Sequence, residues 1–434
     1  MSTTVVSEAA VESFVIEGGN PLSGRVRVAG NKNGALPILA ACLLTEEPVV
    51  LGNVPRIRDV ETMLGLLAEL GADVEWLGPN EVRVQAATIT RTDADEFLSE
   101  RIRASFLLGG PLLARFGHAV LTHPGGDPIG RRRLDTHVHA FEQLGATVSI
   151  DRRFELQADR LEGKRIFLDE ASVMGTENAV MAATFAHGET VLVNAACEPH
   201  VQDLCRFLVS LGAQIEGIGS NVLRIQGVER LSGGEHCIGP EHIEAASFMA
   251  LAAVTGGDVT VDGVEPDDLM AILAAFERLG IRVELGETTV RVPPGQELVI
   301  RDDLGDQIPK IEDGPWPMFP ADLTSIALVI ATQARGTILI FEKMFENRLF
   351  FVDKLVRMGA RIILCDPHRA VVNGPVKLQG ARLESPDIRA GMAMLIAALC
   401  AEGTSIIGNI GQIEKGYERI DERLRALGAS IERS

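Results

Sequence analysis

The chain has 434 residues, 46% hydrophobic and 23% charged, which suits a globular protein of two or three domains and excludes disorder over most of its length. With 60 Asp and Glu against 41 Lys and Arg, the formal net charge is −19, a field that argues against nucleic acid and anionic membrane surfaces as partners. Aromatic residues make up only 4%, too few for base-stacking platforms, and an anionic substrate would need a local basic cluster to overcome the global charge.

The six cysteines, Cys42, Cys197, Cys205, Cys237, Cys365 and Cys400, contain no C-x-x-C pair, and several lie in apolar runs. This reads as buried thiols in a reduced, cytoplasmic protein. The N-terminus shows neither the basic nor the apolar region of a signal peptide, and no apolar run approaches the roughly 20 residues of a membrane span.

An internal repeat organises the chain. Leu-Gly-Ala or a close variant ends an amphipathic stretch six times, with its glycine at Gly71, Gly145, Gly212, Gly280, Gly359 and Gly428, spaced 67 to 79 residues apart. Each copy has one grammar. An apolar helix is predicted over 36–44, 179–186, 248–255, 326–334 and 392–401. A β-rich run follows, as at 190–193, 259–261 and 337–340. A second helix ends in the Leu-Gly-Ala signal, where glycine supplies a left-handed C′ residue. A strand comes next, as at 73–76 and 282–285. Helices as apolar as 326–334 have to be buried on nearly all sides, which places helices inside and sheets outside. Six such α/β units of about 70 residues group most simply as three plus three, two similar lobes with a cleft between them.

Several polar motifs punctuate this pattern. Gly30-Asn31-Lys32-Asn33-Gly34-Ala35-Leu36-Pro37 opens the first apolar helix; Lys32 and Asn33 beside unpaired N–H groups suit a phosphate or carboxylate, or are a solvated cap. In Arg101-Ile102-Arg103-Ala104-Ser105 the two arginines point apart, so one can bind an anion while the other meets water. Pro124-Gly125-Gly126-Asp127-Pro128-Ile129-Gly130-Arg131-Arg132-Arg133-Leu134-Asp135 joins a pliable glycine loop to three consecutive arginines, the local basic cluster that an anion would need. It is not a phosphate-binding Walker loop, since no Lys-Ser/Thr follows Gly130. Asp135, His137 and His139 alternate and so do not share a helix face as metal ligands. Ser172 to Asn178 precedes the helix 179–186 as a Ser/Thr cap. Asp322, in Trp316-Pro317-Met318-Phe319-Pro320-Ala321-Asp322, is placed to cap the helix 326–334. Phe345-Glu346-Asn347-Arg348, Asp387-Ile388-Arg389-Ala390 and Lys415-Gly416-Tyr417-Glu418-Arg419 put basic residues at matching places in the fifth and sixth units.

The repeat and these motifs, from Gly18 to Arg433, resemble the enolpyruvyltransferase family, and within it the branch acting on UDP-N-acetylglucosamine in the first committed step of peptidoglycan synthesis. The resemblance implies a two-lobed inside-out α/β barrel, one lobe of residues 1–31 plus 240–434 and the other of 32–239. It implies transfer of the enolpyruvyl group of phosphoenolpyruvate to the 3′-hydroxyl of the acceptor sugar, with loss of phosphate and with no cofactor or metal. Lys32 and Asn33 fall on the family's Lys-Asn pair and Arg103 on its ligand-binding Arg. Arg132, Arg133, Leu134, Asp135 and Thr136 fall on the sugar-nucleotide loop. Ser172, Val173 and Gly175 match the stretch that meets uridine and diphosphate. Arg348, Arg389 and Lys415 match the phosphoenolpyruvate clamp, and Met344 is implied as a further substrate-binding residue. Asp322 falls on the acceptor-deprotonating Asp, and Asp127 on the loop proton donor. Four departures stand out: Asp127 replaces the usual Cys, Arg133 the usual Pro, Lys415 the usual Arg, and Leu323-Thr324-Ser325 the commoner M-Q-A. The epoxide antibiotic fosfomycin alkylates the family's loop Cys, so a carboxylate at 127 implies insensitivity. The departures leave room for a relative acting on another nucleotide. Transfer to shikimate phosphate would want N-A-G-T near Arg103, and a catalytically silent relative would not need Lys32, Asp322, Arg348 and Arg389.

Overall fold

A computed structural model describes residues 12–434; residues 1–11, the start of the segment expected in the first lobe, lie outside the described residues. All six predicted helix ends share one backbone geometry. Glycines 71, 145, 212, 280, 359 and 428 have φ between +88° and +109°. At the first of them Ala72 N donates to Leu67 O (3.0 Å) and Gly71 N to Ala68 O (2.9 Å), and the same two bonds recur at the other five. This is the Schellman motif, and a β-carbon would be strained in it.

The strand after each glycine joins a small mixed sheet, and the six sheets share one order. In the third unit Arg165–Phe167 runs parallel to Glu189–Val193, which pairs antiparallel with Val222–Gln226, itself antiparallel to Gln214–Glu216. In the second unit the parallel member shrinks to a single bridge between Asp93 and Val120. The strand expected over 282–285 is only Glu284–Leu285. Gln296 takes the Arg282 backbone groups instead, its Oε1 accepting from Arg282 N (3.0 Å) and its Nε2 donating to Arg282 O (2.9 Å).

The apolar helices lie inside these sheets. Every residue of Thr324–Gln333 up to Thr332 is buried, as is Ile388–Cys400 up to Leu399. These two and His242–Thr255 pack on one another. The sequence reading missed the second unit's inner helix, Gly109–Phe116, because its opening Gly-Gly-Pro looks like a breaker. Packing explains those residues: a β-carbon at Gly110 would lie 2.7 Å from Asn178 O of Val173–Ala183. No sheet closes on itself among the described residues, so the architecture is sheets arranged around helices rather than a continuous ring of strands.

Buried apolar side chains form two separate clusters. One draws on residues 14–28 and 243–431, the other on 35–238. Where the chain passes from one cluster to the other, the units exchange edge strands. Ser23–Arg27 leads into Lys32–Ala41 but pairs with Asp258–Asp262, while Gly234–Cys237 leads into His242–Thr255 but pairs with Val49–Gly52. Each exchange sets an inner helix start, at Lys32 and at His242, on the boundary between the clusters. No helix of the described residues is long and apolar enough to cross a membrane.

The glycines differ in what surrounds them, which makes the motif testable. Gly212→Ala meets nothing within 4 Å and should lose only the left-handed penalty, about 1–2 kcal/mol. Gly280→Ala would also press a β-carbon to 2.4 Å from Val299 N and should cost clearly more. Thermal midpoints of the two variants measure this; equal losses would show that the close approach is relieved at no cost.

Candidate active site

The site forms where inner-helix starts from both clusters face each other. Asn31 caps Lys32–Ala41, its side chain accepting from Gly34 N at 3.1 Å, so Lys32 occupies the first helical position. Lys32 Nζ lies 2.6 Å from Asp59, and its backbone N–H donates to Glu241 (3.2 Å). From the other cluster, Asp387 caps Ile388–Cys400 by accepting from Arg389 N and Ala390 N, both at 2.9 Å. Arg389 is thereby held at that helix start.

Asp322 does not cap the following helix, contrary to the local sequence reading. It sits in a 3₁₀ turn, Ala321–Leu323, and the helix Thr324–Gln333 begins after Leu323 with no side-chain cap. Two guanidiniums draw its carboxylate elsewhere: Arg348 reaches one oxygen at 2.5 Å and Arg389 the other at 2.9 Å. Both arginine side chains are only 5% exposed. Burial alone would raise the Asp322 pKa, but Arg389, Arg348 and Lys32 together hold the carboxyl well below the usual carboxylate range.

The glycine-rich loop crosses the cleft to meet this group. Asn347 N donates to Ile129 O (3.1 Å), Asn347 Nδ2 to Pro128 O (3.3 Å) and Arg131 N to Glu346 (3.0 Å). Gly130 has φ +137°, and a β-carbon there would press on the Glu346 carboxylate at 2.5 Å, so glycine permits the docking. Asp127 hangs from this loop, accepting weakly from Ile388 N (3.4 Å), with Lys415 Nζ 4.0 Å away.

Between the two sides lies a cavity of about 270 Å³. Lys32, Asn33, Asp127, Arg132, Val173, Asp322, Met344, Arg348 and Arg389 all line it. Arg132 has no carboxylate partner among the described residues. Burial and then Arg348 depress its pKa, and burial and Arg132 bring Arg103 down to about 10. Such crowding of cations favours an anionic ligand.

Other expected residues lie behind this wall. Arg103 does not line the cavity; it donates to Arg132 O at 2.7 Å and so holds the loop's backbone. Arg133 is exposed and pairs with Asp135 (3.1 Å) and Asp169 (3.2 Å). Leu134 precedes the helix Asp135–Gln143, and Thr136 Oγ1 donates to Asp169 (2.8 Å). Ser172 caps Val173–Ala183 through Gly175 N (3.2 Å), the predicted cap. Lys415 faces Asp127 from outside the cavity lining. His137 turns inward to Asn178 (2.8 Å) and His139 lies 3.1 Å from Phe167 O, so neither faces a shared ligand.

The sequence reading passed over Glu198, His200 and His242 on the cavity wall, and gave Glu177 and Trp316, inside motifs it did single out, no role of their own. His200 stacks on His242 with ring centroids 6.4 Å apart, and burial drives their pKa values down to about 4 and about 3, so both are neutral at pH 7. Burial raises the Glu177 carboxyl well above its ordinary value and raises Glu198 as well. The available signal was positional: His242 opens the inner helix opposite Lys32.

Repeated α/β units surround two cores, and Lys32, Arg132, Arg348 and Arg389 gather in the cavity between them, an arrangement suited to an anion. The chain belongs to the family EPSP synthase (3-phosphoshikimate 1-carboxyvinyltransferase), whose pattern matches residues 16–424. It is 58% identical to the UDP-N-acetylglucosamine 1-carboxyvinyltransferase of Bradyrhizobium diazoefficiens over 97% of each chain. It is 54% identical to the protein of that name from Treponema denticola, over 97% of this chain and 99% of that one. Among solved structures, the enolpyruvyl transferase NikO from Streptomyces tendae superposes with a TM-score of 0.87 at 25% identity, covering 98% of this chain and 99% of that one. An EPSP synthase from Acinetobacter baumannii shares the fold, with a TM-score of 0.75 at 18% identity over 98% of this chain and all of the other.

The cation cluster makes a prediction that needs no substrate. Inorganic phosphate should stabilise the fold by about 2.7 kcal/mol at a hundred times its dissociation constant, and so raise the thermal midpoint. Arg348→Met or Arg389→Met should weaken phosphate binding about tenfold or more, since a charge-assisted hydrogen bond contributes about 1.5–3 kcal/mol. Unchanged phosphate protection in both variants would place the anion elsewhere.

Proposed function

We propose that the chain transfers the enolpyruvyl group of phosphoenolpyruvate to the 3′-hydroxyl of UDP-N-acetylglucosamine, in the cytoplasm, as the first committed step of peptidoglycan synthesis. The observation that carries the reading is Asp322, held between Arg348 and Arg389 in a cavity that also receives Lys32, Arg132 and Asp127. The relatives' names support the acceptor and the carboxyvinyl group that is transferred. The two apolar clusters support lobes of 12–31 plus 240–434 and of 32–239 as the bodies that enclose them.

In this reading Arg348 and Arg389, with Lys32 and Arg132, take the phosphate and carboxylate of phosphoenolpyruvate. An anion that draws the two guanidiniums also loosens them from Asp322, which raises the basicity of its carboxylate at the moment of need. Asp322 then accepts the proton of the 3′-hydroxyl as that oxygen attacks C2, and Asp127 as a carboxylic acid protonates C3. The tetrahedral intermediate loses phosphate and a C3 proton, leaving the enol ether. Asn33, Val173 and Met344 shape the walls. Arg103 and the Ser172-capped helix hold the sugar-nucleotide side, with Gly175, Arg133, Leu134, Asp135 and Thr136 at its rim.

Phosphate should be released from phosphoenolpyruvate only when UDP-N-acetylglucosamine is added, among a panel of UDP-sugars, nucleosides and shikimate 3-phosphate. Asp322→Asn and Asp127→Asn should each lose about 10²–10⁴ in turnover while still binding the UDP-sugar. The unaltered chain should resist fosfomycin, because a carboxylate is a poor nucleophile toward the epoxide. Asp127→Cys should keep turnover and become irreversibly inactivated. Phosphate release with a different acceptor, or a fosfomycin adduct on Asp127, would overturn the reading at the acceptor or at the loop.

Lys415 lies within reach of the same loop but carries one point charge. Lys415→Arg should keep turnover and lower the KM for phosphoenolpyruvate by at most about tenfold, since a planar fork can grip two oxygens. A KM that rises tenfold would mean that the pocket is shaped for the shorter ammonium.

A further inference from the structure

Beneath the cavity wall lies a second pair of acids that the proposed reaction does not use. Lys310–Glu312 and Gly336–Phe341 are parallel neighbours in one sheet, with Glu312 opposite Phe341. The next residue of each strand is an acid, so the register sets Asp313 beside Glu342. Both are fully buried, at 0% exposure. Their oxygens collect three consecutive backbone N–H groups. Asp313 accepts from Lys343 N and from Met344 N (3.3 Å), and Glu342 Oε1 accepts from Phe345 N (3.1 Å). Glu342 Oε2, Thr324 Oγ1 and Arg348 Nε are buried there without a hydrogen-bond partner.

We propose that Asp313 and Glu342 share one proton and act as a positioning pair that seats the 343–348 loop, and through it Arg348 and the docked Asp127 loop. The loop joins the cavity wall, the Asp127 loop and Asp322. Met344 and Phe345 line the cavity, Glu346 and Asn347 hold Arg131, Ile129 and Pro128, and Arg348 holds Asp322.

Two carboxylates side by side in a dry site cannot both stay ionised without a cation for each. The groups facing Glu342 supply only one. Arg348, from the next 3₁₀ turn, approaches it but hydrogen-bonds Asp322 instead. His368 lies against the backbone, its Nδ1 2.7 Å from Glu342 O. Thr324, at the start of the inner helix, offers a neutral hydroxyl, and the Lys343 ammonium turns outward to Glu312 (3.6 Å). Burial, and then the charge of Asp313, push the Glu342 pKa up to about 8. The pair therefore keeps a proton at neutral pH. As pH rises through about 8 that proton leaves, the like charges repel, and the three amides lose their common anchor.

Two measurements on the full chain test this. In native-state hydrogen exchange, the amides of residues 343–345 should lose protection above pH 8 by more than the roughly tenfold-per-unit rise of base-catalysed exchange. Glu342→Gln, whose amide mimics the protonated acid, should keep that protection, and Asp313→Asn should do so too by removing the like charge. In steady-state kinetics, the KM for phosphoenolpyruvate should climb at least about threefold more between pH 7 and 9 in the unaltered chain than in Glu342→Gln, whose kcat at pH 7 stays within about twofold. The kinetic arm rests on the enolpyruvyl-transfer reading, whereas the exchange arm needs no substrate, so failure of one reading is separable from failure of the other. If neither variant folds, exchange in the unaltered chain decides alone. Protection of 343–345 that follows only the chemical rate through pH 8, or pH profiles that coincide in the unaltered chain and Glu342→Gln, would overturn the proposal.

Discussion

The Asp322 carboxylate between Arg348 and Arg389 is the interaction on which the site depends. Two guanidiniums so deeply buried repel each other, and an anion between them offsets both the repulsion and the lost hydration. Asp322 supplies that anion in the resting chain, and a substrate anion can take over part of the task. The same three residues therefore stabilise the unliganded fold and provide the charge that a polyanionic substrate needs.

That triad can form only because the fold brings the 3₁₀ turns carrying Asp322 and Arg348 to the helix start carrying Arg389. The six units are local solutions to one packing problem, each burying an apolar helix under a small sheet. A strand exchange at each crossing ties the two cores together at the positions where Lys32 and His242 begin their helices. Helix starts carry unpaired N–H groups and favour anions, so aiming them at one cleft concentrates positive potential in a molecule whose net charge is −19. The Arg103 and Arg132 contacts extend the same field across the loop.

The loop carrying Asp127 completes the enclosure. Its glycines let the backbone approach Glu346, and its carbonyls accept from Asn347, so it docks through the segment that also holds Arg348. Loop, cavity wall and anion clamp are thus coupled through residues 343–348. Asp127 stands within reach of Lys415 and of the Ile388 N–H, which hold its side chain at the cleft.

Much of this was legible in the sequence because it is local. A Leu-Gly-Ala helix end needs only a residue free to turn left-handed, and an unbroken apolar helix announces burial by itself; both hold in all six units or nearly so. The exceptions have local causes as well: Gly-Gly-Pro hid the helix Gly109–Phe116, and Gln296 shortened the strand at 284. Motif resemblance found the residues on the cavity wall that sit in distinctive strings, such as Lys32, Asp127, Asp322, Arg348 and Arg389. Tertiary structure alone decided what each of them touches. Asp322 reads as a helix cap from its neighbours in sequence, and becomes the partner of two arginines 26 and 67 residues away. Arg103 reads as a ligand contact from its motif, and folding adds its grip on the Arg132 carbonyl. Glu177, Glu198, His200, Asp313 and Glu342 carry no local signal, since a carboxyl or imidazole acquires its charge state only from the burial and neighbours that folding creates. Strand register and cleft closure set those neighbours over separations that no local pattern encodes.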